Sequence, residues 1–284
     1  MPDGKYLGVI LAAGHGSRMG PFGEEVPKPV APVCNKPLLV YQIEHLRALG
    51  VTDILVVIGH LGHRITAALG DGSAFGVRLR YVEQERRLGL AHAVGQLETL
   101  VDRPFLLFLG DIFFEMDRPE RLLAEFEASG AAAALAVREE TDVEAVRRNF
   151  SVRTDGDGRV LRVIEKPRFV ESMLKGCGLY LFSLHIFDAI RRTPRTSLRD
   201  EYELTDSIQI LVDLDLEVRA VPVVAWDMNL TYIGDLVACC RHRLSTLGMT
   251  SLTGEGCRVA PGTELVETVL GDGVEIRRPA RLER

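Results

Sequence analysis

The chain has 284 residues, 46% of them hydrophobic and 26% charged, with 34 basic against 40 acidic side chains and a formal net charge of −6. That length suits one large α/β domain, alone or with a small appendage, and buries a core without help from a disulfide or structural metal. The acidic balance argues against nucleic-acid and membrane partners, and no apolar run approaches a membrane span, so an anionic substrate must be met by local positive charge.

The first apolar run is Leu7 to Ala13, followed by Ile54 to Ile58 and Phe105 to Leu109. Each has strand length and no polar alternation, the pattern of strands covered on both faces of a parallel sheet. The opening stretch MPDGKYLGVILAAG reads as that first strand rather than as a signal peptide, because its seven-residue apolar run passes into glycines. Between the runs lie helical patterns. Leu39, Ile43 and Leu46 share one face from Pro37 to Leu49, with Pro37 suited to the first turn and Gly50 to the stop. Leu90, Val94, Leu97 and Leu100 make a second face. A third helix is expected from Arg118 to Ser129, ended by Gly130, before a strand from Ala131 to Val137. Alternating strands and helices predict a doubly wound, Rossmann-like α/β fold with a mixed sheet.

The middle changes style. Phe150–Thr154 and Arg159–Ile164 flank Asp155-Gly156-Asp157-Gly158, a hairpin pattern. Then come a strand over Gly178 to Ser183, helices over Leu184–Arg192 and Leu204–Leu214, and a strand over Val218–Val224. In the last 30 residues Leu270, Ile276 and Leu282 recur every six positions, as do Val259 and Leu265 before a slip. That period fits two coils of a left-handed β-helix or a pair of irregular strands. Two coils are too few to stand alone, so residues 248–284 are expected to lean, as an appendage, on a main domain of residues 1–247 or on a second copy in a homo-oligomer. The five cysteines, Cys34, Cys177, Cys239, Cys240 and Cys257, have no CxxC spacing and an odd count, as expected of free thiols in a reducing cytoplasm.

The chemistry begins where the first strand meets Gly14-His15-Gly16-Ser17-Arg18-Met19-Gly20. Glycines in such a turn let main-chain N–H groups approach a phosphate. By themselves they also resemble a dinucleotide fingerprint. That reading wants an acidic residue about 20 positions further on, where Cys34 to Val40 instead opens a helix. Two cations accompany the turn, Arg18 within it and Lys28 held between Pro27 and Pro29.

Together, Leu11-Ala12-Ala13-Gly14-His15-Gly16-Ser17-Arg18-Met19 and Pro27-Lys28-Pro29 resemble the signature of the sugar-1-phosphate nucleotidylyltransferases, which include glucose-1-phosphate thymidylyl- and uridylyltransferases. The resemblance runs over roughly residues 5 to 245. It implies that Leu11, Ala13, Gly14, Gly16 and Ser17 contact a nucleoside triphosphate, with Gly110 beside them. Tyr81-Val82-Glu83-Gln84 and Leu88-Gly89-Leu90 are similar to the family's base-reading stretch. A Gln84 amide both donates and accepts, matching the O4 and N3–H of uracil or thymine, with Gly89 adding a main-chain contact. UTP or dTTP is favoured on that basis, and a guanylyl- or cytidylyltransferase is the alternative within the family.

The resemblance further implies Mg²⁺ on Asp111, in Leu109-Gly110-Asp111, and on Asn229, in Trp226-Asp227-Met228-Asn229, with Asp227 as the alternative second ligand. Magnesium prefers such oxygen donors. Glu165-Lys166-Pro167 and Gly176-Cys177-Gly178 fall on the implied sugar side: Glu165 on hydroxyls, Lys166 on the sugar phosphate, Gly178 beside them. Glu203-Leu204-Thr205-Asp206 borders that pocket in relatives. Ser151 stands where relatives often have glycine, so the sugar is left open, with glucose 1-phosphate the first candidate. The implied reaction is in-line transfer of a nucleoside monophosphate to a sugar 1-phosphate with release of pyrophosphate, needing charge neutralisation by Arg18, Lys28 and Lys166 rather than a general base. A non-catalytic nucleotide-sugar sensor on the same fold is the rival. It would not need all of these charged groups.

Overall fold

The computed structural model describes residues 4–196 and 200–283. Its centre is a nine-stranded mixed sheet. In chain order the strands are β1 (Leu7–Ala12), β2 (Asp53–Ile58), β3 (Arg78–Glu83), β4 (Phe105–Leu109), β5 (Ala133–Glu139), β6 (Phe150–Thr154), β7 (Val160–Glu165), β8 (Leu174–Phe182) and β9 (Val218–Pro222). Across the sheet the order is β3-β2-β1-β4-β8-β5-β9, and the β6–β7 hairpin attaches beside the start of β8. The first four strands are parallel, β8 runs antiparallel to β4 and β5, and β9 is parallel to β5.

The missing alternation in β1 has a direct cause. Ile10 and Ala12 enter the apolar layer on one face, while Leu7, Val9 and Leu11 enter the layer on the other. Both faces are buried, so neither tolerates polar residues. From β1 the chain winds outward through β2 and β3, then returns to the other side of β1 as β4. That reversal is a topological switch point, and ligand crevices in open α/β sheets form there, beyond the carboxyl ends of the strands.

Several elements depart from the sequence pattern. The helix expected from Leu90 to Leu100 is α-helical only to Gly95, and the rest closes in tight turns onto Leu97. The helix expected from Arg118 begins at Glu120, because Arg118 takes a φ of +50° and Pro119 caps the first turn. The stretch Val218–Val224 divides at Pro222, which has no N–H with which to continue a ladder. Beyond it Val224–Asn229 pairs antiparallel with Ile112–Met116 as a separate ribbon. Strand β8 starts four residues earlier than its apolar pattern, at Leu174.

The C-terminal segment contains three short parallel strand pairs offset by the same 17 residues: Leu252 with Val269, Arg258 with Glu275, and Glu264 with Arg281. It leans on the rest of the chain through Asn35, whose side-chain amide donates to the Leu270 carbonyl at 2.7 Å, and through an Arg241–Glu267 ion pair at 3.2 Å. All five cysteines are free.

Candidate active site

A cleft of about 370 Å³ opens at the switch point, a size ordinary for a small-molecule site. Its floor is the end of β1, Leu11 to Gly14, beside Gly110 and Asp111 at the end of β4. The Gly110 N–H donates to the Leu11 carbonyl at 2.9 Å, and a Cβ at Gly110 would press on that same carbonyl. Gln42 fixes the turn from beneath. Its side-chain NH₂ donates to the carbonyls of Leu109 and Ile112, on either side of Gly110-Asp111, at 2.9 and 2.8 Å.

Lys28 starts a short 3₁₀ turn (Lys28–Val30), and its side chain is buried along the cleft wall. Its ammonium lies 3.5 Å from the Asp111 carboxylate. Its stem passes the α-carbon of Gly16, where a side chain would meet it at 3.4 Å. Gln84 is buried in the lining of the same cleft, its NH₂ donating to the Arg86 carbonyl at 3.2 Å. Gly89 has a φ of +106°, and any side chain there would collide with the main chain of Tyr202. Only glycine fits that turn.

On the other side of the cleft the β6–β7 hairpin presents Glu165 and Lys166. Thr205 donates to Glu165 at 3.4 Å, and Lys166 lies 3.8 Å from the same carboxylate. Lys166 holds a φ of +43°, and its N–H donates to the Asn149 carbonyl at 2.7 Å. Asn229 sits at the end of the ribbon, opposite Ile112, and the next N–H, that of Leu230, donates to the Asp111 carbonyl at 2.8 Å. Asp111 and Asn229 are therefore neighbours, although 118 positions separate them in the chain.

Of the residues singled out in the sequence, Leu11, Ala13, Gly14, Lys28, Gln84, Gly89, Gly110, Asp111, Glu165, Lys166, Gly178 and Asn229 all line this one cleft. Gly16, Ser17, Arg18 and Ser151 do not. Gly16 to Arg18 form the turn beside Lys28, with Ser17 and Arg18 exposed. Ser151 is buried within the sheet, paired with Ile164 and Lys175, because its predecessor Phe150 takes the cleft-facing position of the strand. Asp227 is also outside the lining. Its carboxylate accepts from the Lys175 ammonium at 2.9 and 2.8 Å, and Arg138 approaches at 3.3 Å. Buried and paired in this way, it holds the ribbon against β8.

Sequence reading passed over Gln42, Arg87, Arg148, Asn149 and Glu201. All but Gln42 line the cleft. Gln42 had one signal, a polar residue on the apolar face of Leu39, Ile43 and Leu46. The others lie in loops or at a helix end and carry no pattern.

No group of three or more His, Cys, Asp or Glu side chains gathers as a metal cluster among the described residues. A two-donor site of one carboxylate and one amide oxygen fits Mg²⁺, which keeps several waters and completes its shell with phosphate oxygens.

A glycine-lined crevice at a parallel-sheet switch point, with cations on both walls and two oxygen donors between them, defines a nucleotide-handling α/β protein. Residues 7–227 match the family model described as nucleotidyl transferase, and the chain belongs to the sugar-1-phosphate nucleotidyltransferase family. A glucose-1-phosphate thymidylyltransferase of Streptomyces griseus is 33% identical over 94% of this chain and 78% of its own length. The low-salt glycan biosynthesis nucleotidyltransferase Agl11 of Haloferax volcanii is 38% identical over 77% of this chain, which spans 60% of that relative. The UTP–glucose-1-phosphate uridylyltransferase AglF of the same organism is 33% identical, over 80% and 92% of the two chains. Among solved structures, a Bacillus anthracis protein described as a glucose-1-phosphate thymidylyltransferase, in complex with a sucrose, superposes with a TM-score of 0.73 at 26% identity, covering 83% of this chain and 94% of that one. A UDP-glucose pyrophosphorylase complexed with UDP-glucose shares the fold, with a TM-score of 0.74 at 20% identity.

Proposed function

We propose that this chain transfers a nucleoside monophosphate from UTP or dTTP to a sugar 1-phosphate, with glucose 1-phosphate the first candidate, and releases pyrophosphate. The observation that carries this reading is the lining of one cleft by Lys28, Asp111, Lys166 and Asn229 between the glycine-lined wall and the hairpin.

The base lies against Gln84 and Gly89. With its NH₂ engaged by the Arg86 carbonyl, Gln84 has its oxygen left to accept from the N3–H of uracil or thymine. Leu11, Ala13, Gly14 and Gly110 offer main chain to the nucleotide, and Gly16, Ser17 and Arg18 close over the β- and γ-phosphates from the exposed turn. Lys28 holds the α-phosphate, and Lys166 brings in the sugar phosphate. That oxygen is already anionic, so its in-line attack on the α-phosphorus requires no proton transfer. Positioning and charge neutralisation supply the rate. Asp111 and Asn229 would hold Mg²⁺, which neutralises charge on both phosphates when bound. On the sugar side Glu165 and the main chain at Gly178 meet hydroxyl groups, and Asn149 and Phe150 stand where Ser151 was expected.

Residues 1–247 form the catalytic domain in this reading. The 17-residue offset of the tail strands supports two coils of a β-helix over 248–284, a segment through which copies of the chain would assemble.

The test is pyrophosphate release across a matrix of UTP, dTTP, GTP and CTP against several sugar 1-phosphates, with Mg²⁺. Release that requires both a pyrimidine triphosphate with an N3–H and a sugar 1-phosphate supports the assignment. Nucleotide binding without release in any pairing overturns it in favour of a sensor.

A further inference from the structure

An asparagine amide offers a divalent cation only its oxygen, while its nitrogen must be taken by an acceptor elsewhere. The Nδ2 of Asn229 donates to Oδ1 of Asn149 at 3.3 Å. Asn149 is itself held in one orientation, since its own Nδ2 donates to the Ala145 carbonyl at 2.9 Å. Ala145 belongs to the short helix Val143–Arg148, whose start is capped by the Asp142 side chain accepting from the Glu144 N–H. The main-chain carbonyl of Asn149 meanwhile accepts from the N–H of Lys166, at a residue whose positive φ needs external support. One residue thus touches both the amide expected on the metal and the backbone of the lysine expected on the sugar phosphate.

We propose that Asn149 is a positioning residue: its side chain turns the Asn229 oxygen toward the metal while its carbonyl fixes Lys166 beside it. The inference rests on the proposed metal role of Asn229. The partners that orient a metal ligand from outside typically govern affinity by about 10–100-fold. Asn149 has a φ of −116°, outside the left-handed region that favours glycine and asparagine.

The test compares Asn149→Ala in two backgrounds, the natural chain and Asn229→Asp. A carboxylate at 229 presents oxygen whichever way it turns, so it has no amide to orient. Mn²⁺ binding is read by electron paramagnetic resonance with an α,β-methylene analogue of UTP or dTTP bound, alongside thermal unfolding. The expected result is a loss of Mn²⁺ affinity of about tenfold for Asn149→Ala in the natural background. It should fall below twofold in the Asn229→Asp background, with melting temperatures unchanged by the alanine. Equal losses in both backgrounds, or a loss matched by a lowered melting temperature, would reduce Asn149 to a structural residue. If Asn229→Ala leaves Mn²⁺ binding intact, the metal role of Asn229 falls and the orienting role with it. If Asn229→Ala weakens binding and Asn149→Ala does not, the orienting role falls alone.

Discussion

The two walls of the cleft achieve placement by different means. The wall at the ends of β1 and β4 is mostly main chain: Leu11 to Gly14, Gly89 and Gly110, held by sheet hydrogen bonds and by the amide of Gln42. The facing wall is mostly side chain: Glu165, Lys166, Asn149 and Asn229 are tied together by Thr205, by an amide–amide bond and, behind the surface, by the Lys175–Asp227 pair. Main chain needs glycine to let phosphate approach, and glycine leaves a mark in sequence. A side-chain wall needs partners brought from five separate segments: Glu165-Lys166 and Asn229 stand in local motifs, but nothing local announces Asn149 or Lys175.

The largest expected effect lies behind the side-chain wall. Lys175 and Asp227 are almost fully buried. Arg138 also approaches Asp227, and Glu140 lies 3.5 Å from Lys175, so Asp227→Ala leaves one carboxylate to two largely buried cations and should cost up to about 3–5 kcal/mol in denaturant unfolding. The double variant Lys175→Met/Asp227→Leu should return close to the natural stability, because well-packed apolar groups replace buried ion pairs at little cost. A loss under 1 kcal/mol for the single variant would mean that the ribbon is held by its apolar contacts alone.

On the main-chain wall two glycines separate fold from function. Gly89→Ala forces a side chain into a φ of +106° against Tyr202 and should cost about 1–3 kcal/mol of stability. Gly14 has open space where a Cβ would stand. Gly14→Ala should therefore unfold within about 0.5 kcal/mol of the natural chain. It should still raise KM for the triphosphate about tenfold, the equivalent of roughly 1.4 kcal/mol. Unchanged KM at Gly14 would break the claim that this wall binds through close main-chain approach.

The smallest effect is electrostatic and lies outside both walls. The hydrogen bond from Cys34 holds the Cys240 thiol below the ordinary cysteine range, against the opposing pull of burial. Its thiolate is present above its lowered pKa and lost below it, so alkylation by iodoacetamide should reach half its limiting rate at a lower pH than for an ordinary cysteine. Cys34→Ala should move that midpoint upward, and an unmoved midpoint would place the cause elsewhere.

Most of the sheet was legible because β1, β2 and β4 are buried on both faces and so are written as unbroken apolar runs. The ribbon strand Val224–Asn229 was not. Its pairing with Ile112–Met116 depends on a partner more than a hundred residues away, and Pro222 breaks the pattern without saying where the chain goes next. The site divides the same way. The glycine turn and Lys28 form one contiguous motif, whereas Asn149 and Arg148 sit at the end of a six-residue helix that only the folded chain brings to the cleft. Asp227 and Asn229 are both oxygen-bearing residues two apart on one strand, and sequence alone could not rank them. Lys175 occupies Asp227 in the folded chain, which favours Asn229 for the proposed metal role.

The central claim is that Lys166 serves the incoming sugar phosphate and not the nucleotide. Its most direct test is Lys166→Ala, with pyrophosphate release under saturating substrates measured beside the Kd for the triphosphate alone. The account predicts a fall in kcat of about 10²–10³-fold with the nucleotide Kd changed less than threefold. Natural turnover, or a collapse of nucleotide binding in step with kcat, would contradict it.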